Sequence, residues 1–124
     1  MEKRILIIDN DRTSVALLQA KLAGQCYLVM VIEDGETGLR YLEKEPPDLL
    51  ILGIEAPGMC GADVLKAIRA NEATRELAVV VYTYIESDEA VFRYWRYNPA
   101  CTFTKPGDPA ELAGTVNRIF QSPI

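Results

Sequence analysis

Four short stretches carry side chains of the kinds that handle phosphoryl groups and divalent cations. Asp9-Asn10-Asp11 offers two carboxylates around an amide, Thr83 a hydroxyl between two tyrosines, and Lys105 an ammonium between Thr104 and Pro106. The fourth stretch, "DLLILGIEAPGMCG" at 48–61, ends an apolar run in Gly53, which has no side chain. Acids can hold a divalent cation, and a lysine with a hydroxyl can hold a phosphoryl group. Each residue alone has a plainer use. An Asp-Asn-Asp run caps a helix, a strand-end lysine is solvated, and a glycine permits a turn. The four become informative when they converge.

The elements that would position them are regular. "RILIID" (4–9), "YLVMVIE" (27–33), "DLLIL" (48–52), "AVVVYT" (78–83) and "CTFT" (101–104) read as strands. Between them the spacing predicts helices over 12–23, with Val15, Leu18 and Leu22 on one face, then 35–45, 62–70 and 88–97. A last helix opens with Asp108 as N-cap, Pro109 at its first position and Glu111 completing a capping box. Leu112, Val116, Ile119 and Phe120 form its apolar stripe. The strands are continuous apolar runs, which predicts burial on both faces. Five strands alternating with five helices predict a doubly wound parallel sheet with helices on both faces. In such a sheet function gathers at the carboxyl ends of the strands. Asp9, Gly53, Thr83 and Lys105 all fall there.

Composition narrows the function classes. The 124 residues fit one domain, spanning 1–124, with 49% apolar and 25% charged residues. No apolar run approaches the roughly 20 residues of a membrane span. The three cysteines, Cys26, Cys60 and Cys101, are odd in number and widely spaced, which suggests a reducing, cytoplasmic setting. The chain has no histidine, which removes Ser-His and Cys-His catalysis and His-ligated metals. A formal net charge of −5 argues against direct nucleic-acid binding by this domain.

Taken together, "ILIIDND", "PDLLILGIEAPGMCG", "VVVYT" and "FTKPGDPAEL" resemble, in order and spacing, the motifs of a response-regulator receiver domain. The resemblance covers essentially the whole chain. It implies a flavodoxin-like (βα)5 fold and a place in two-component signal transduction. It also implies an aspartate at the end of the third strand that accepts a phosphoryl group from a histidine kinase. Mg2+ would be held by the first-strand acids. The hydroxyl and lysine would follow the phosphoryl group and rearrange the face made by 88–97, the fifth strand and the last helix.

Several residues depart from that pattern. Gly53 stands at the phosphoacceptor position, and no activation scheme supplies an absent nucleophile. Asp9, Thr83 and Lys105 match the family's acid, hydroxyl and lysine, but Asn10 replaces the second acid. Mg2+ binding is therefore expected to be weak at best, with Asp9 and the Glu55 backbone as remaining ligands. Ala56, Cys60, Tyr84 and Thr102 replace, in turn, the family's usual methionine, aspartate, small residue and aromatic switch. The Glu55 carboxylate has room to reach over Gly53 towards Lys105, although a solvated loop glutamate is the plainer reading.

These features describe a pseudo-receiver: a phosphorylation-independent protein-interaction module, not an enzyme and with no required cofactor. The alternative is a small-molecule or anion-binding domain that reuses the carboxyl-edge pocket. The expected partners are a signalling protein or a second receiver, including a homodimer. Within "DEAVFRYWRY" (88–97), a projection at about 100° per residue puts Val91, Phe92 and Trp95 towards the core. It leaves Arg93, Tyr94, Arg96 and Tyr97 as the exposed partner surface.

Overall fold

The structure, a computed structural model, describes residues 2–54, 59–84, 95–105 and 107–121. The described residues form five strands and four helices, in the order β1 (Arg4–Ile8), α1 (Arg12–Ala23), β2 (Leu28–Ile32), α2 (Gly35–Lys44), β3 (Leu49–Gly53), α3 (Gly61–Ala70), β4 (Ala78–Thr83), β5 (Cys101–Thr104) and α4 (Pro109–Gln121). All neighbouring strands pair in parallel, in the order β2-β1-β3-β4-β5. This is the flavodoxin-like doubly wound order. Among the described helices, α2 and α3 pack on one face of the sheet and α1 and α4 on the other.

The apolar pattern explains this layering. Successive strand residues point to opposite faces. In β1, Leu6 and Ile8 join Leu42, Val64, Leu65 and Ile68 on the α2–α3 side. Ile5 and Ile7 join Val15, Leu18, Leu22, Leu112 and Val116 on the α1–α4 side. Each fully buried Leu, Ile or Val contributes about 1.5–3 kcal/mol by leaving water.

Burial on both faces holds for β1, β3 and β4 but not for β2. β2 lies at the sheet edge, and its Leu28 and Met30 are 52% and 44% exposed. A continuous apolar run shows what a strand can bury, whereas its place in the sheet decides what it does bury. β5, at the other edge, is also only partly buried.

Local signals set the helix starts. Asp11 caps α1 by accepting from the Ser14 N–H, and Asp34 caps α2 by accepting from the Thr37 N–H. At α4, Asp108 accepts from the Ala110 N–H at 2.9 Å, while the Glu111 N–H donates to the Asp108 carbonyl at 3.0 Å. Asp108 is thus the cap, bonded one residue earlier than a capping box requires. No described helix is long and apolar enough to cross a membrane.

The expectation for 88–97 needs correction at its end. Of this span only residues 95–97 are described: Trp95 is helical, residues 96 and 97 form a turn, and Asn98 beyond them is left-handed at φ 59°. The projection therefore fails beyond residue 95. Trp95, assigned to the core, is 45% exposed. Tyr97, assigned to the surface, packs against the α2–α3 core. Arg96 remains exposed, with its guanidinium 5.7 Å from the centre of the Tyr97 ring. Arg93 and Tyr94 lie outside the described residues.

Candidate site at the carboxyl edge of the sheet

Strand register brings the site together. Ile8 pairs with Leu52, which sets Asp9 beside Gly53, and Gly53 pairs with Tyr82. Thr83 pairs with Thr104, which sets Lys105 just past the end of β5. The Lys105 N–H donates to the Thr83 carbonyl at 2.8 Å, and the Asp9 N–H to the Ile32 carbonyl at 3.0 Å. Asp9, Gly53, Thr83 and Lys105 are all buried at this edge. Asn10 is exposed, so the second position of the acidic motif does not enter the buried cluster. Glu55 lies outside the described residues.

The centre of the site is an ion pair. Lys105 Nζ is 2.6 Å from Asp9 Oδ2, with the two side chains 1% and 2% exposed. The same ammonium is 3.6 Å from Asp11 Oδ2. It lies 5.1 Å from the Tyr82 ring centre and 5.3 Å from that of Tyr84, within cation–π range. Burying a charge is costly unless it is paired. Here one ammonium is enclosed by two carboxylates and two aromatic rings.

Gly53 makes this arrangement possible. A Cβ at residue 53 would stand 2.6 Å from Asp9 Cγ and 2.6 Å from Asp9 Oδ2. The Asp9 carboxylate thus occupies the space where a side chain at 53 would begin. Gly53 and Lys105 are legible in the sequence, where Glu55 is the carboxylate with room to fill the gap. Asp9 fills it, because β1 and β3 are neighbours and Asp9 already stands beside the glycine.

Asp11 and Tyr84 close the outer side. The Tyr84 hydroxyl donates to Asp11 Oδ2 at 2.8 Å, and Ser14 Oγ donates to the same oxygen at 2.9 Å. These bonds to the ionised form lower the Asp11 pKa to about 2, Tyr84 contributing most; partial burial opposes them, and Ser14 and Lys105 assist. Neither Ser14 nor Tyr82 figured among the site residues legible in sequence. Ser14 reads as a helix residue and Tyr82 as a core strand residue. Only the fold points their hydroxyl and ring at the pocket.

Similarities to known proteins agree with this frame. The chain is 30% identical over 119 residues to the response regulator PleD of Caulobacter vibrioides, covering 96% of this chain and 26% of PleD. It is 28% identical over 119 residues to the protein PilH of Pseudomonas aeruginosa, covering 94% of this chain and 97% of PilH. It thus spans about a quarter of the first relative and nearly all of the second. A response-regulator structure from Chloroflexus aurantiacus superposes with a TM-score of 0.90 at 28% identity, covering 98% of this chain and all of that one. The response regulator receiver domain model matches residues 5–117, from β1 into α4. Because that match takes in every strand and each of the stretches that build the ion pair, the chain belongs to the response regulator receiver domain family.

Proposed function

We propose that this receiver domain works without phosphorylation, as a protein-interaction module in two-component-type signalling. The observation that carries the reading is the Asp9 carboxylate lying over Gly53, on the ground where an acceptor side chain would stand. Residue 53 offers no nucleophile, and Lys105 is already neutralised by Asp9. The pocket has the family's hydroxyl and lysine without the group they serve. The module is not an enzyme in this reading, and its output is a binding surface presented in one state. The alternative of an anion-binding pocket at the same edge is disfavoured by the same ion pair, since the lysine that would attract an anion is committed.

The test is treatment with acetyl phosphate and Mg2+, followed by intact-mass measurement. We expect no species carrying an added phosphoryl group, under conditions in which a receiver with an acceptor aspartate is labelled. Stoichiometric gain of one phosphoryl group, mapped to Asp9, Asp11 or Glu55, overturns the reading.

A further inference from the structure

Membership of the receiver family implies a divalent cation at this edge, held by acidic side chains. The donors among the described residues do not suit one. Mg2+ demands nearly octahedral oxygen ligands, with carboxylates among them. Asp9 and Asp11 are the carboxylates beside Lys105 among the described residues, and all four of their oxygens are engaged. Asp9 Oδ1 accepts from the Asp11 N–H at 3.0 Å, and Asp9 Oδ2 from Lys105 at 2.6 Å. Asp11 Oδ1 accepts from the Ser14 N–H at 3.3 Å, and Asp11 Oδ2 from Ser14 Oγ and Tyr84. Asn10 is exposed and Gly53 has no side chain. No group of three or more His, Cys, Asp or Glu side chains among the described residues is placed to hold a metal.

We propose that the Lys105 ammonium is the resident cation of this pocket, a tethered charge in place of the divalent ion. Asp9 in turn takes the place of the missing carboxylate at 53. The inference rests on the receiver reading above and deepens it. The ammonium answers Asp9 directly at 2.6 Å and Asp11 in part at 3.6 Å, so it stands where a divalent ion would and holds the end of β5 to the end of β1. A divalent ion could enter only by driving a buried ammonium away from two carboxylates and two rings. Such displacement costs far more than surface competition, because Lys105 and Asp9 are both desolvated.

Removing the tethered cation should therefore create the metal site. Lys105→Met keeps an unbranched apolar stem as far as the Cε position and leaves Asp9 and Asp11 uncompensated. The experiment is a Mg2+ titration of the whole chain, read by melting temperature. A ligand raises it only in proportion to its occupancy of the native state. We expect wild type to be unresponsive to millimolar Mg2+. Lys105→Met should show a saturable rise, with at least tenfold tighter binding, lost when Asp9→Asn is added. A saturable rise in wild type, or none in Lys105→Met, overturns the proposal.

If Lys105→Met does not fold, Lys105→Gln is titrated in its place with the same expectation. Backbone amide shifts of Asp9, Asp11 and Lys105 in wild type give a reading that needs no variant. They should not move with Mg2+, and saturable movement overturns the proposal. Labelling by acetyl phosphate would defeat the phosphorylation-independent reading. A metal-binding wild type that still resists labelling would defeat this inference alone.

Discussion

Gly53 and Asp9 form one structural unit, and substitution at either should disclose it. In Gly53→Ala the new Cβ falls 2.6 Å from Asp9 Cγ, so the carboxylate must withdraw from Lys105. Removing one partner of a buried pair outright costs about 3–5 kcal/mol, and a partial withdrawal should cost about 2 kcal/mol. Urea denaturation checks this; an unchanged midpoint would show that Asp9 can move at no cost. Asp11 gives a pH signature. Its folded pKa of about 2 lies below the ordinary 3.8, so its ionised form favours folding. That contribution is complete above about pH 4 and is lost as the pH falls towards 2. The Tyr84 hydroxyl is its first cause, so Tyr84→Phe should raise the Asp11 pKa and shrink the loss of stability across that window. Acid titration of the Asp11 carboxyl by NMR measures it, and identical titration curves would remove Tyr84 from the network.

Arg69 joins separate elements in a way that no charge count shows. From the end of α3 its guanidinium donates to four carbonyls: Tyr97 at 2.9 Å, Arg75 at 3.0 Å, Leu77 at 2.7 Å and Asn98 at 3.0 Å. These bonds tie the α3 terminus to the approaches to β4 and β5. Burial pushes the Arg69 pKa down, with Glu76 opposing. Only a planar fork reaches four acceptors at once, so Arg69→Lys is not a conservative change. It should cost about 2 kcal/mol, given about 1 kcal/mol or less per neutral bond and more for charge-assisted ones. Hydrogen exchange should quicken at the Ala100 N–H, which donates to the Val79 carbonyl where β5 begins. Unchanged exchange there would mean that β5 is seated by its sheet neighbours alone.

For the whole molecule, the described surface available to the proposed partner differs from the helical projection. Tyr97 is half-buried against the α2–α3 core, while Trp95 and Arg96, consecutive in sequence, are exposed. Arg96 also lines a cleft of about 650 Å³ with Arg69, Arg75 and Glu76, at the amino end of β4 and β5, opposite the ion pair. Trp and Arg are the residue types that dominate the energetics of interfaces. Arginines in a chain of net charge −5 mark a face suited to an acidic protein surface. Trp95→Ala with Arg96→Ala should leave the melting temperature close to that of wild type. The double variant should also lose the proteins that wild type captures from its native extract. Unchanged capture by a folded double variant would place the contact elsewhere.

Much of this architecture is written locally. The bounds of α1, β4 and β5 were read correctly because apolar spacing and the residues at their ends act within a few positions. Asp108 and Pro109 likewise announced the last helix through chemistry confined to its first turn. The doubly wound class followed from the alternation of elements. What only the tertiary structure decided concerns neighbours distant in sequence. The half-exposure of Leu28 and Met30 follows from β2 lying at an edge, a property of strand order and not of the strand. Residues 96 and 97 form a turn before the left-handed Asn98, and Tyr97 packs against the α2–α3 core, which a uniform helical projection could not show. The partner of Lys105 was beyond reach for the same reason. Lys105 and Asp9 are 96 positions apart, and they meet because parallel pairing brings the ends of β1, β3, β4 and β5 to one edge. The sequence determined that residue 53 would be empty; the packing of β1 against β3 decided that Asp9 fills the space.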